Sequence, residues 1–323
     1  MTANQEKLLS FFQELLYIRL VEEKICDLYP GQEMRCPVHI SIGQEATAVG
    51  VCLNITSQDM VFSNHRSHGH YLAKGGDLDR FFAELYGKNS GCSKGRGGSM
   101  HLVDLSVGFM GATAIVSGTI PVAVGAALTL SIKNARDIVV VFLGDGAVEE
   151  GVFYESINFA KLKNLPILFF CENNFYSVYT HINDRQPKRK IIDLAKCHGV
   201  DCYEVDGNDV IDVYETTGQA ITKIRNGGGP AFIEAATYRW REHCGPNFDN
   251  NIGYRTEEEF LSWKRNDPIN QLKEKLLANN ILNPDKIAVI TEMINKKIDE
   301  AVKFAKSSPY PDKSELNKYI YAE

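Results

Sequence analysis

The segment from Ile138 to Asn174, "IVVVFLGDGAVEEGVFYESINFAKLKNLPILFFCENN", limits the fold more than any other part of the chain. It holds two short, unbroken apolar runs separated by a stretch of helical periodicity. The first run stops at Gly144-Asp145-Gly146 and the second at Asn173-Asn174. Runs this short and this continuous predict strands buried on both faces. A strand, a helix and a second such strand make a right-handed crossover with parallel strands. The rhythm then continues: "DLAKCHG" reads as a short helix, "VDCYEVDG" as a strand, "VIDVYETTGQAITKIRNGGG" as a helix with a glycine stop, and "PAFIEAATYRW" as a strand. The expected fold class is therefore α/β, a parallel sheet with helices on both faces.

The flanks read differently. Leu8 to Tyr29 has an amphipathic helical stripe, a second helix begins near Gln44, and Leu78 to Gly87 forms a third. "GKNSGCSKGRGGSMHLVD", from Gly87 to Asp104, is too long for an idle loop in a compact domain and is expected to be functional. "IVSGTIPVAVGAALTLSIK" becomes a Gly/Ala-rich helix suited to close packing. From Arg255 the chain turns helical again, with a long helix over about Asp285 to Lys306 and an extended tail. We expect one domain over 1–323: a helical part to about 80, an α/β core over about 81–245, and a helical part over about 255–323.

The net charge of −6 and pI near 5.8 argue against nucleic acid or an anionic membrane as partner. The short basic run Arg185 to Lys190, "RQPKRK", reads as a solvated loop. The eight cysteines form no Cys-x-x-Cys and read as free thiols of a reducing compartment. With no signal-peptide core and no run of membrane-span length, the expected location is cytoplasmic.

The chemistry concentrates where the two strands end. Asp145 and Asn174, about thirty positions apart, both fall at carboxyl ends of parallel strands, the edge where open α/β sheets bind ligands. A carboxylate with an amide oxygen suits magnesium, which completes its octahedron with phosphate oxygens and water. The residues alone suggest a magnesium-bridged diphosphate.

"GDGAVEEGVFYESINFAKLKNLPILFFCENN" matches the thiamine-diphosphate signature, which begins with Gly-Asp-Gly and ends with Asn-Asn. The wider chain resembles the alpha subunit of the decarboxylating component of 2-oxo acid dehydrogenase complexes, of the pyruvate and acetoin types. The match runs from "GQEATAVG" through "NHRSHGHYLAKG", "GCSKGRGGSMH", "CENN" and "GPAFIEAATYRW" to "YRTEEEF" and "NDPI". It implies the thiamine-diphosphate-binding fold, with thiamine diphosphate and Mg2+ as cofactors. Asp145, Asn174 and the carbonyl of Tyr176 would hold the metal. Gly146 and Ala147 would lie against the diphosphate, gripped by Arg66 and Arg239. His65 stands where the family usually has tyrosine and could still donate a hydrogen bond to the diphosphate. The backbone at Ala114 and Val116 would hold the aminopyrimidine ring. His68 and His243 would move protons and stabilise negative charge, and His39 would shape the pocket.

The resemblance further implies an α2β2 assembly, because in this family the glutamate that activates the cofactor belongs to a beta subunit. The implied reaction cleaves a 2-oxo acid or acetoin and passes the acyl group to a lipoyl-bearing acyltransferase. The Gly/Ala-rich helix is a candidate for subunit packing. The chain departs from the family after His243, where it reads "HCGPNFDNNIGYR". Cys244 takes the place of the first phosphorylated serine of animal pyruvate-type relatives, so no kinase control through this loop is expected. Two other readings stand beside the dehydrogenase. One is a carboligase or transketolase-like enzyme acting on a sugar-derived substrate. The other is a regulatory relic without cofactor, against which the retained Asp145, Asn174, Arg66 and Arg239 argue.

Overall fold

The computed structural model describes residues 3–315 and 317–318. Its centre is a six-stranded sheet with every neighbouring pair parallel. The strands, in chain order, are β1 (Met60–Ser63), β2 (Phe109–Ala112), β3 (Val139–Gly144), β4 (Ile167–Asn173), β7 (Asp201–Asp206) and β8 (Ala231–Ala236); β5 (Tyr176–Ser177) and β6 (Thr180–His181) form a separate hairpin. The order across the sheet is β2-β1-β3-β4-β8-β7. The expected α/β class is thus present.

The apolar runs of β3 and β4 are continuous because each strand packs on two sides. Val139, Val141, Leu143, Ile167 and Phe169 face one apolar cluster. That cluster is completed by helices α5 (Thr119–Ile132), α6 (Gly151–Leu162) and α8 (Ile191–Lys196). Val140, Phe142, Leu168 and Phe170 alternate onto the other face. There they meet α1 (Ala3–Leu28), α2 (Glu45–Cys52), α3 (His68–Ala73), α4 (Leu78–Leu85) and α9 (Val210–Lys223). The four-residue α7 (Ile182–Arg185) follows the hairpin. The edge strand β7 is half-exposed, in keeping with its polar sequence.

Two expectations need correction. The first third is not helical throughout: β1 and β2 lie inside it, so the sheet reaches back to Met60 rather than starting near residue 81. The helical run after Thr256 breaks in two, into α10 (Glu257–Arg265) and α11 (Pro268–Ala278). Asp267 caps the second by accepting from Ile269 N at 2.8 Å, and Pro268 opens it. The last long helix, α12 (Pro284–Ser307), lies where expected; the tail adds a short 3-10 turn at Lys313–Glu315, and its last residues lie outside the described set. Finally, the Gly87–Asp104 stretch is folded around one buried carboxylate. Glu84 accepts from the backbone N–H groups of Ser93, Gly95, Gly97 and Gly98 at 2.7–3.0 Å. Gly95, with φ +72°, could carry no side chain without striking the Gly87 backbone.

Among the described residues, no helix is long and apolar enough to cross a membrane. All eight cysteines are free.

Candidate active site

From β1 the chain moves outward to β2, then returns to place β3 on the other side of β1. That reversal leaves a crevice at the carboxyl ends of β1 and β3, the usual ligand position in open α/β sheets. A cleft of about 680 Å³, counted to its open mouth, lies there. β1 delivers His65 and Arg66, β3 delivers Asp145, Gly146 and Ala147, and β4 delivers Asn174 and Tyr176. Val116 and His243 complete the predicted residues that line it; Ala114, His39, His68 and Arg239 do not.

Asp145 is buried, and burial pushes its carboxyl above the usual range despite the Arg185 guanidinium beside it. Arg185 pairs with both Asp145 and Glu149, so a cation already stands at the carboxylate predicted to hold a metal. This corrects the reading of "RQPKRK" as a wholly solvated loop: its first residue is an arm of the site. Gln186 follows, donating to Glu149 at 2.8 Å. The Asn174 oxygen accepts from Tyr176 N at 3.2 Å, and its amide donates to Gln44 at 3.4 Å. The donor set is an ionisable carboxylate, an amide oxygen and nearby backbone, with a stand-in cation in place, which fits a hard divalent ion.

Arg66 supplies the opposite condition. It is buried, and its guanidinium donates to the carbonyls of Ile40 at 2.7 Å and His243 at 3.1 Å. Among the described residues it has no carboxylate partner. Burial, and then the charge of Arg239, push it down to about 10. A buried cation without a counter-charge is expensive, and an anion in the cleft relieves that cost. Arg239 itself is fully buried and engaged elsewhere. It donates to Val178 O at 2.6 Å, Tyr254 Oη at 2.9 Å and Arg241 O at 2.7 Å, leaving its Nε unpartnered. Val178 has φ +55°, which a β-branched residue adopts only under constraint. Arg239 therefore pins the hairpin that follows Asn174.

The histidines divide into two kinds. His68 is closed off: its Nδ1 lies 3.0 Å from Glu22 Oε2 and its Nε2 2.7 Å from Ser99 Oγ, with no exposure. His39, His65 and His243 instead meet at the mouth, with ring centroids 4.6, 5.1 and 5.2 Å apart. The backbone brings them together. Gly245 N donates to Val38 O at 2.8 Å and Trp240 N to Ile42 O at 3.0 Å, laying the His243 segment along the His39 segment. Burial and then Arg66 push His65 and His243 down to about 3, and push His39 well below the usual imidazole range. Burial and the Arg66 charge thus favour the neutral form of all three rings.

Sequence reasoning missed several lining residues. Glu172 stands within the quoted "CENN"; it is buried, accepts from Thr47 and lies 3.1 Å from His70 Nε2. Ser117, with φ +62°, donates to Ala147 O at 2.8 Å and ties the turn before α5 to the Gly-Asp-Gly turn. Only the turn signal at Ser117-Gly118 hinted at it.

Comparison with known proteins bears on the family. The family model described as "Dehydrogenase E1 component" matches residues 13–314. The chain is 39% identical over 322 residues to the alpha subunit of acetoin:2,6-dichlorophenolindophenol oxidoreductase of Bacillus subtilis (strain 168), covering 99% of this chain and 95% of that one. It is 36% identical to the pyruvate dehydrogenase E1 component subunit alpha of Porphyra purpurea, over 99% and 94% of the two chains. It is 33% identical to the chloroplastic alpha-3 subunit of the same component of Arabidopsis thaliana, over 99% and 75%. With a family model matching residues 13–314 and relatives that align along nearly its whole length, the chain belongs to the dehydrogenase E1 component family.

Proposed function

We propose that this chain is the alpha subunit of a thiamine-diphosphate-dependent dehydrogenase that cleaves a 2-oxo acid or acetoin together with a beta subunit. The observation that carries the reading is the adjacency of two opposite demands in one cleft. Asp145 keeps a raised carboxyl even beside Arg185, so a divalent cation would suit it better, and buried Arg66, with no carboxylate partner among the described residues, favours an anion. A magnesium diphosphate meets both. Asp145 and Asn174, with the Tyr176 carbonyl, would hold the metal, and Arg185 would have to withdraw from Asp145 to admit it. Gly146 leaves room beside the turn, since a Cβ there would come within 3.0 Å of Ser177 Oγ. Bound thiamine diphosphate supplies the electron sink that carbon–carbon cleavage requires. The neutral rings of His65 and His243 are the imidazoles placed to hydrogen-bond a substrate oxygen. His68 holds the α3 segment in place through Glu22 and Ser99.

The mouth bears on assembly. Ile115 and Val116, beside the cleft, and Val122 of α5 are exposed apolar side chains. Covering them with a beta subunit would close the cleft and exclude water from it, and an α2β2 assembly is the form we expect. A lipoyl-bearing acyltransferase is the proposed acceptor, and magnesium the proposed metal. The names of the relatives favour a dehydrogenase over a carboligase.

The test is to co-purify the chain with its beta partner. The pair is then assayed with thiamine diphosphate and Mg2+ against 2-oxo acids and acetoin, using an artificial electron acceptor. Turnover of one donor, absent without the partner, is expected. A pair that binds cofactor but reduces no acceptor with any donor overturns the dehydrogenase reading.

A further inference from the structure

We propose that His39, His65 and His243 form a binding site for a divalent transition metal, of which zinc is the chemical type. One ligand nitrogen from each lies within 4.8 Å of the other two. In a tetrahedral site with metal–nitrogen bonds of about 2.0–2.1 Å, imidazole centroids stand about 5.2 Å apart. Those observed stand 4.6, 5.1 and 5.2 Å apart, with ring planes inclined at 60°, 85° and 58°. Two pairs are T-shaped and one is tilted, none lies flat on another, and the centroid spacing is near that of a shared ion, so small side-chain shifts would bring the three nitrogens onto one.

The second observation is the lack of competing partners. His39 is only 6% exposed, and its Nδ1 is buried with no hydrogen-bond partner. Among the described residues, no hydrogen bond engages a ring nitrogen of His65 or His243. This contrasts with His68 and His70, whose two ring nitrogens are all engaged. Buried polar atoms are nearly always paired, and one that is not points to a missing ion, water or ligand. Three imidazoles with no carboxylate select zinc, cobalt, nickel or copper over magnesium, whose hard-oxygen set is the separate one at Asp145. A three-histidine site leaves a fourth position open, and the nearby Arg66 charge opposes the ion. The site is therefore an exchangeable one and not a structural centre. His65 and His243 line the cleft, so a bound ion takes their rings from the substrate. That consequence, reversible inhibition, rests on the function proposed above; the binding itself does not.

The experiment uses the full chain with Mg2+ in saturating excess, titrated with cobalt and followed by the strong visible absorption of tetrahedral Co2+. Zinc affinity is read by competition with a chromogenic chelator. One equivalent with a tetrahedral spectrum is expected. His65→Tyr, which installs the family's usual side chain, is expected to weaken zinc by about 100-fold or more, and His39→Gln to do the same. Asp145→Asn is expected to leave the cobalt spectrum unchanged. Failure of wild type to give a tetrahedral spectrum overturns the proposal. So does persistence of that spectrum in both histidine variants, or its loss in Asp145→Asn. Calorimetry with thiamine diphosphate on the same samples separates this result from the cofactor reading: a chain that binds cofactor but no zinc refutes only the metal site.

Discussion

Two buried aspartates sit at opposite ends of the same sheet. Asp59 stands just before β1 and Asp145 just after β3. Asp59 is saturated: it accepts from Thr56 N at 2.7 Å, Ile138 N at 2.9 Å and Arg225 at 2.7 Å. Burial alone would raise its carboxyl; those bonds outweigh burial and hold it below the usual range. Asp145 has a single strong partner, Arg185, and burial wins, so its carboxyl is raised. The same side chain serves architecture at one end and, in the function proposed above, would hold a ligand at the other. Two things distinguish them: Asp59 has more permanent partners, and Asp145 lies deeper among protein atoms, so its burial weighs more. The lesson extends to the histidines, where His68 is fully paired and the His39 cluster is not.

The largest expected effect breaks the ligand side of the comparison. Asp145→Ala should weaken thiamine diphosphate binding in the presence of Mg2+ by about 100-fold or more, since it removes the only carboxylate proposed for the metal. Titration calorimetry of the assembled pair measures it, and unchanged affinity would sink the metal assignment. The same variant should unfold at nearly the wild-type denaturant midpoint.

Asp59→Ala should do the reverse. It strands two backbone donors and a guanidinium, at a cost of about 3 kcal/mol in denaturant unfolding. Cofactor affinity should stay as in wild type. Equal stability losses at the two aspartates would break the distinction drawn here.

The acid limb sharpens it. Because the folded chain holds Asp59 below its unfolded range, the unfolded chain takes up the proton first as pH falls. The stability Asp59 contributes is complete above about pH 4 and is lost as pH drops through the depressed folded value. Asp59→Asn should therefore flatten the acid side of the stability–pH profile. A profile parallel to wild type below pH 4 counts against it.

How far the sequence foretold these features follows from how local each one is. β3, α6 and β4 were legible because their burial is complete, leaving runs such as "VVVFL" and "ILFF" unbroken. β1 and β2 were not, because "MVFS" and "FMGA" are four residues each and become strands only by pairing, β1 with β3 and β2 with β1. Asp145 and Asn174 could be placed because strand ends follow from strands. The meeting of His39, His65 and His243 could not. It depends on bonds between segments two hundred residues apart, from Val38 to Gly245 and from Ile42 to Trp240, which no periodicity announces. The resemblance carried His68 to a reacting role; that its nitrogens are held by Glu22 and Ser99 could not be read from the sequence.

Arg185 offers the finest test, because it is the one partner Asp145 would have to give up to a metal. Its guanidinium also holds Glu149 and donates to Thr180 O at 3.0 Å, so it can leave Asp145 without losing every anchor. If it occupies the place a metal would take, the ion must displace it, and that displacement opposes metal binding. Arg185→Gln should then tighten Mg2+ binding by up to about tenfold, roughly 1.4 kcal/mol. It should also destabilise the metal-free chain slightly, because the raised Asp145 carboxyl loses its counter-charge. Calorimetric titration of Mg2+ at fixed thiamine diphosphate gives the sign directly. Weaker Mg2+ binding in the variant would mean that Arg185 supports the bound diphosphate instead of competing for its metal, and Asp145 would then resemble Asp59 more closely than its single partner suggests.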